Sequence, residues 1–414
     1  MAQDPTGHRS SSRLAILFLS VLVDMVGFGI VLPLLPFYAE EFGATPLQVT
    51  LLIASFAAMQ FMAVPVWGRL SDRLGRRPFI VASLFASAVS YLIFGLAQSL
   101  AVLFISRIAA GAAGGTISVA QAYVADSTAP DRRAHGLSLL GAASGLGILF
   151  GPAIGGYFSG FGYHVPGFIA AGLCAANGVA ALFFLPESRQ RGAAPVVGAG
   201  VSQAATLGSW LRTLSSYPFS LLLPVYFLCI MSFTAMTAVL ALYGDRAFGM
   251  TAMDMGILFA LAGGTTAIVR GLLVGWLVRQ AGELRIVQVG TVALALTLFV
   301  IPLIQDPALM YVLVPFWALA AGLTFPSLVT LVSLETDVDS QGSILSGQQV
   351  VGGVGRVLGP IWAGALFGAI HINTPFFVGA ALVLIAAIMS LWLRQPSISR
   401  PPRVRTPPPD DVAA

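Results

Sequence analysis

Apolar residues run along this chain in long stretches, broken by short polar clusters. The first opens after Arg13 and reaches Tyr38. A helix needs ~20 mostly apolar residues to cross a ~30 Å hydrocarbon layer. Twelve stretches meet that length, at 14–38, 46–67, 78–98, 100–124, 134–159, 165–186, 218–243, 253–278, 285–304, 307–333, 341–369 and 374–393. Most connections are short. The exception is 187–217, rich in Gly, Ala, Ser and Arg, which separates two sets of six. From Pro396 onward the chain is rich in Pro and Arg and reads as disordered. The first stretch is far longer than the ~7–15-residue core of a cleaved signal peptide, and no small-residue cleavage site closes it. The pattern predicts an all-α membrane protein of twelve transmembrane helices in two six-helix bundles.

Composition agrees. Of 414 residues, 57% are hydrophobic and only 9% are charged, against about 25% charged in soluble domains. That excludes a soluble enzyme, a disordered chain and a nucleic-acid-binding module. The 45 glycines suit closely packed membrane helices. The net charge of +4 acquires meaning from where the Arg residues lie. Seventeen of the 21 fall on one side of the map, Arg246 falls on the other, and Arg107, Arg270 and Arg356 fall within spans. Basic residues gather on the cytoplasmic side of inner-membrane proteins. The expected topology is therefore multi-pass, with both termini cytoplasmic. The expected organisation is a cytoplasmic N-terminus (1–13), a first bundle (14–186), a cytoplasmic linker (187–217), a second bundle (218–394) and a cytoplasmic tail (395–414). Cys174 and Cys229 both sit in apolar runs, so neither a disulfide framework nor a metal site is expected.

The two halves repeat each other. Gly68-Arg69-Leu70-Ser71-Asp72-Arg73-Leu74-Gly75-Arg76-Arg77 joins spans 2 and 3, and Gly275 through Glu283 joins spans 8 and 9. Gly68 to Gly275 and Gly75 to Gly282 are both 207 residues, half the chain, and Gly151-Pro152 in span 5 returns as Gly359-Pro360 in span 11. Two parallel six-helix repeats are one plan of secondary transporters.

Asp24 is the deepest carboxylate. It lies eleven residues past Arg13, about 16 Å along a helix rising ~1.5 Å per residue, near the middle of the hydrocarbon layer. Burial there penalises its charged form, the condition under which a carboxylate can load and release a proton. The other acids lie at span ends or in loops, as do His8, His135, His164 and His371. Asp24 is thus the proton carrier by elimination, or else a structural Asp bonded to its neighbours. Arg107 in span 4 either faces a cavity, where a cation near Asp24 would oppose the burial effect, or fixes helix packing. Arg356 in span 11 could contact an anionic substrate group or pair within the protein. In span 5, Gly147, Gly151 and Gly155 fall on one helix face, continued by Gly141 and Gly145, and let another helix approach closely. Pro152 bends that helix. In the 68–77 segment Gly68 and Gly75 permit a tight turn, and Arg73, Arg76 and Arg77 hold it at the surface. Asp72 could sit at a helix N-terminus, where negative charge is favoured. Arg76 could pair with Asp126.

These stretches make the chain resemble the major facilitator superfamily over nearly its full length. Gly68 to Arg77 is similar to the superfamily's loop between spans 2 and 3. Gly147-Ile148-Leu149-Phe150-Gly151-Pro152-Ala153-Ile154-Gly155-Gly156 resembles the span-5 signature of its antiporters. Arg107-Ile108-Ala109-Ala110-Gly111 resembles the span-4 signature of proton-coupled members. With Asp24, Pro33 and Pro36 in span 1, the chain looks most similar to twelve-span drug:proton antiporters of the tetracycline-efflux type. The resemblance implies that Arg107 lines a central cavity and governs protonation nearby. It implies that Gly68, Asp72, Arg73, Gly75, Arg76, Arg77 and Asp126 form a latch closing the cytoplasmic side, and that Gly147, Gly151, Pro152, Gly155 and Gly156 seal against proton leak. Phe28, Gln121, Tyr123, Tyr226, Phe233, Gln348, Gln349 and Arg356 are candidate cavity residues. Three acidic or His positions of the tetracycline antiporters, in spans 3, 8 and 9, are missing here, which puts tetracycline in doubt as the substrate.

The expectation is a secondary transporter, not an enzyme, that exports small amphipathic or drug-like molecules by proton antiport with alternating access. The rivals are a proton-coupled importer or uniporter of a sugar or other metabolite, and a lysolipid flippase on the same fold. No cofactor or metal is expected. The expected partners are the small-molecule substrate, protons and the lipid bilayer, with no nucleic acid, and the protein is expected to act as a monomer.

Overall fold

Spans 2 and 8 begin alike. Thr45 caps the first with its hydroxyl accepting from the Gln48 amide at 3.4 Å, while the Gln48 side chain accepts from the Thr45 amide at 2.8 Å. Thr251 and Asp254 repeat this reciprocal cap at 3.3 and 2.8 Å. Each cap satisfies amides that a helix start leaves without partners. The two spans also end alike. Gly75 (φ 102, ψ 159) and Gly282 (φ 77, ψ 156) turn the chain directly into the next helix. Their backbone lies in the region that side-chain-bearing residues rarely adopt. The internal repeat is therefore a repeat of caps and corners as well as of letters.

The computed structural model describes residues 5–128, 132–188, 216–336 and 340–394, with the backbone only for 5–13 and 134. Nearly all of the expected linker, and all of the tail beyond Arg394, lie outside the described residues. Among those described, every regular element is helical. Twelve helices are long and apolar enough to cross a membrane: Leu14–Val31, Pro46–Leu74, Arg76–Gly95, Leu100–Ser127, His135–Ser159, His164–Phe184, Phe219–Phe248, Ala252–Ala281, Glu283–Leu303, Pro307–Leu334, Gln341–Ala369 and Thr374–Leu391. They are spans 1 to 12 below.

Four details depart from the sequence reading. Span 1 stops at Val31 and a short helix, Leu35–Glu41, follows. Pro33 has no amide hydrogen to continue the ladder. Gly68 makes no turn: the helix of span 2 runs through it to Leu74, and Gly75 alone makes the corner. Asp72 consequently lies in the last turn of a helix, not at an N-terminus. Span 4 breaks between Leu100–Ala113 and Thr116–Ser127. A break leaves carbonyls without intrahelical donors, and span 2 supplies the donors here. Trp67 Nε1 bonds Ala112 O at 2.6 Å and Gln60 Nε2 bonds Gly114 O at 3.5 Å. Span 8 contains a π turn at Val269–Leu273, which inserts a residue into the helical register and rotates Arg270 relative to the preceding face.

Small residues set the packing. In span 5, a Cβ on Gly151 would lie 2.6 Å from Val26 O in span 1, and one on Gly155 would meet Ile30 O. The Gly147, Gly151 and Gly155 stripe thus packs against span 1 of its own half. The next stripe faces the other half: Gly156 packs on Gly256, and a Cβ on Gly263 would lie 2.6 Å from Ile148 O in span 5. Gly145 faces Ala267, but Gly141 has open space beside it and does not extend the seam. In span 11, Gly359 packs against Met231 and Thr234 of span 7, as Gly151 does against span 1.

Contacts between the halves are concentrated toward one face. Span 2 meets span 11 at Pro46–Gly368, Thr50–Gly364 and Phe61–Gly353. Beyond Gly145–Ala267 and Phe61–Gly353, Gly68, Gly141, Gly271 and Gly342 have nothing within 4 Å of where a Cβ would stand. The halves meet at the face opposite the Gly75 corner and part toward the face that carries it.

Candidate functional site

Asp24 is buried inside the first half. Its carboxylate accepts from Ser87 Oγ of span 3 at 3.2 Å, and the Thr116 hydroxyl of span 4 also reaches it. Thr116 in turn shares a 2.8 Å bond with Ser83. Two hydroxyls can hold either protonation state of a carboxyl, because a hydroxyl donates to a carboxylate and accepts from a carboxylic acid. Among the described residues no cation pairs with Asp24.

Arg107 is buried too, but it does not meet Asp24. Its guanidinium lies 5.9 Å from the Tyr91 ring and 5.2 Å from the Phe94 ring. Its Nε donates to Ser106 Oγ at 3.4 Å, and Nη2 has no partner among the described residues. Tyr91 lies within electrostatic reach of both Asp24 and Arg107. The expected direct pair is replaced by an acid, a phenol and a guanidinium in sequence. Aromatic faces offer a buried cation about 0.5–2 kcal/mol of attraction.

The second half carries a different cluster. Tyr226 of span 7 packs on Gly352 of span 11, where a Cβ would come 2.8 Å from its ring, and edge-on to Phe325 of span 10. Arg356, one turn past Gly352, lies within hydrogen-bonding and electrostatic reach of Tyr226, and Arg270 lies within electrostatic reach of it. Neither Arg has an ion pair among the described residues. Span 11 turns Gly352 and Gly359 to span 7, and Gly353 and Gly364 to span 2. Arg356 and Gln349 occupy the sector between, facing the interior; Gln349 is exposed there. Two turns along span 7, Phe233 stacks on Trp317 at 4.3 Å and edge-on to Phe325.

The other candidates divide. Phe28 stacks near Phe56 at 5.3 Å, half-buried. Gln121 is exposed. Tyr123 is not a cavity residue: it is fully buried and its hydroxyl donates to Pro186 O at 2.7 Å. Gln348 is also buried, on the span-7 side, and its Nε2 has no partner among the described residues.

At the corner face, Arg76 Nε bonds Asp126 Oδ2 at 2.9 Å, Nη2 bonds Asp72 Oδ1 at 2.6 Å and Nη1 bonds Ser71 Oγ at 2.8 Å. All four residues belong to the first half, so this pair ties spans 2, 3 and 4 together and does not cross to the other half. Arg77 Nη2 donates to Leu182 O, while Arg73 is exposed. Glu187 completes the cluster. It accepts from the Arg76 amide at 2.9 Å and the Arg77 amide at 3.3 Å, placing a carboxylate on the N-terminus of span 3. A Cβ on Gly75 would lie 2.5 Å from Glu187 Oε2, so glycine is required there twice over. The sequence reading missed Glu187. Its only signal was position, as the last acid before the Gly/Ala/Arg-rich stretch.

At the opposite face a charged contact crosses between the halves. Arg246 Nη2 of span 7 bonds Glu40 Oε1 of the Leu35–Glu41 helix at 3.0 Å, and its guanidinium lies 5.3 Å from the Phe367 ring. Burial pushes the Glu40 carboxyl above its ordinary value, and the attraction of Arg246 only partly opposes this.

Comparison with known proteins places this geometry. A family model described as Major Facilitator Superfamily matches residues 17–360. Tetracycline resistance protein, class G, of Vibrio anguillarum is 32% identical over 389 residues, covering 91% of this chain and 96% of that protein. Multidrug resistance protein 2 of Bacillus subtilis (strain 168) is 28% identical over 386 residues, covering 91% and 94%. Among solved structures, a bacterial homologue of the human lysosomal transporter Spinster, inward-facing and occupied, superposes with a TM-score of 0.74 at 14% identity, covering 94% of this chain and 97% of that one.

Proposed function

The chain belongs to the Major Facilitator Superfamily, and on that premise we propose that it is a secondary active transporter exporting small amphipathic or drug-like molecules by proton antiport with alternating access. Its full-length similarity to proteins named for multidrug and tetracycline resistance supports export. The observation that carries the coupling is Asp24, a buried carboxyl held, among the described residues, by hydroxyls alone.

In this reading the Gly75 corner faces the cytoplasm, both termini lie there, and the membrane is the bacterial inner membrane. Residues 14–186 and 218–394 are the moving bundles, joined by 187–217. The structure then represents the inward-open state, closed outside by spans 2, 5, 8 and 11 and by Glu40–Arg246. Asp24 takes the proton. Arg107 senses its charge through Tyr91 and turns one protonation state into one arrangement of spans 1, 3 and 4. The Arg76–Asp126–Asp72 cluster and Glu187 keep the first bundle rigid, so that it rocks as a body. Span 5 serves both sides of that motion, with its glycine stripe fixed on span 1 and its Ile148–Gly156 stripe on span 8. Substrate occupies the interior between Phe28 and the Tyr226–Phe233 wall, and the protein works as a monomer. The absent acidic and His positions in spans 3, 8 and 9 weigh against tetracycline itself.

The test uses proteoliposomes of wild type and Asp24→Asn under an imposed pH gradient. Candidate drugs are added singly while lumenal pH and drug uptake are recorded together. The reading expects drug-dependent proton flux in wild type and none in the variant. Drug movement without proton flux, equal in both proteins, would refute antiport and leave a uniporter.

A further inference from the structure

The second-half cluster has a charge imbalance that no described group resolves. Arg356 and the exposed Arg270 both stand within electrostatic reach of Tyr226, and a neutral phenol cannot balance two guanidinium charges. An ionisable residue inside a membrane protein ordinarily pairs with another or faces a functional cavity. No described carboxylate forms an ion pair with either Arg. Arg270 lies where the halves have parted, and Arg356 lies one turn on the closed side of Phe61–Gly353, where the parted region ends. Arg356 and the exposed Gln349 share the interior sector of span 11, and Arg270 stands just past Gly145–Ala267, where the seam between spans 5 and 8 ends. An ion entering from the open face therefore meets Arg270 first and Arg356 next. Behind Arg356, the half-buried Phe233 fronts a wall made of the buried Tyr226, Phe325 and Trp317.

We propose that Arg356 and Arg270, with the Tyr226 hydroxyl and Gln349, form an anion subsite that selects amphipathic substrates bearing a carboxylate, the apolar part lying on the Phe233 face of the wall. This rests on the transport reading above and names its substrate class. Guanidinium offers paired N–H donors that match a carboxylate's two oxygens. Tyr226 and Gln349 add neutral donors, and the wall supplies the burial that a small inorganic anion could not use. Asp24 lies in the other half, outside this subsite, so the same interior can hold an anionic substrate in one half and a proton in the other.

The experiment uses the full chain in detergent and three probes with one ring system: 1-pyrenebutyrate, its neutral amide and 1-pyrenebutylamine. Binding is followed by fluorescence anisotropy for wild type, Arg356→Gln, Arg356→Lys and Arg270→Gln, each first shown to elute as a single folded species. The subsite predicts that butyrate binds wild type about tenfold tighter than the amide and that the amine binds weakest. Arg356→Gln should remove the preference, Arg270→Gln should reduce it and Arg356→Lys should retain part of it. Equal binding of butyrate and amide, a preference for the amine, a preference untouched by Arg356→Gln, or no binding of the anion would each overturn the proposal. The same probes in proteoliposomes separate the two readings. Anion-selective binding without proton-coupled flux of any probe would sink the antiport reading alone. Proton-coupled flux with no charge preference would sink the subsite alone.

Discussion

In the first half, Asp24 and Arg107 lie deep among helices of their own bundle with Tyr91 between them. In the second, Arg270 and Arg356 gather at Tyr226 beside the open interior, with no acid paired to them among the described residues. The backbone plan of the two halves is the same, down to the capped starts of spans 2 and 8 and the corners at Gly75 and Gly282. The charges do not follow it. The positions 207 residues after Asp24 and Arg107 are Met231 and Val314, and the position 208 before Arg356 is Ile148. A duplicated scaffold keeps what folding requires and frees interior side chains to diverge. The difference argues for a division of labour, with proton handling in the first half and substrate recognition in the second.

The largest expected effect tests that division directly. Asp24→Asn should reduce drug-dependent proton flux to background while leaving probe binding unchanged, because its partners Ser87 and Thr116 can still bond an amide. A parallel loss of binding would erase the boundary between the halves. Next come paired glycine substitutions. Gly151→Val and Gly359→Val each drive a branched side chain into the backbone of a neighbouring helix, at Val26 and Met231 respectively. Overpacking ordinarily costs about 1–3 kcal/mol, and unyielding backbone puts both at the upper end. Thermal unfolding in detergent should show similar losses, and a loss confined to one variant would mean that the scaffold symmetry is only formal.

How far the sequence carried this reading depends on the range of the interaction. The twelve spans, the Gly75 and Gly282 corners and the Arg76–Asp126 contact were legible, because hydrophobic length, glycine at a corner and opposite charges at neighbouring span ends are signals close to the backbone. The absence of an Asp24–Arg107 pair was not, since it depends on Tyr91 and Phe94 of span 3 holding the guanidinium away. Nor was the break in span 4, which Gly114 and Gly115 permit but Trp67 and Gln60 stabilise from another helix. Asp72 was misplaced because Gly68 looked like a turn. Glycine at that helical position fits without a break, since its φ is not positive and nothing crowds it.

Two smaller effects sharpen the comparison at the edges. Glu187→Gln removes the carboxylate from the start of span 3, and the helix-end interaction should fall by about 1 kcal/mol. The second half has Glu283 at its own corresponding helix start, so Glu283→Gln gives a matched control in the same unfolding assay. The smallest effect concerns pH at the outer contact. Glu40 has its carboxyl pushed up by burial in the closed contact, so that state binds the proton more readily than a solvated Glu40 would. Closure is then favoured below the ordinary value of 4.5 and weakens as pH rises through the raised one. Spin labels on the Leu35–Glu41 helix and the outer end of span 7 should show more closed population on acidification, and Glu40→Gln should flatten the response. A shift toward the open state at low pH would contradict the sign.

The one-sided seam has an electrical consequence. In the proposed orientation, with the Gly75 face open to the cytoplasm, water in the interior is continuous with it and shares its potential. The membrane voltage then drops across the thin closed layer formed by Glu40–Arg246 and the Thr50–Gly364 and Gly156–Gly256 contacts. About 2.3 kcal/mol per charge per 100 mV is concentrated over that layer and not spread along the full length of the helices. When the halves rock, the insulating layer moves to the other face. An ion held in the interior is thereby handed from one electrical compartment to the other while travelling almost no distance within the protein.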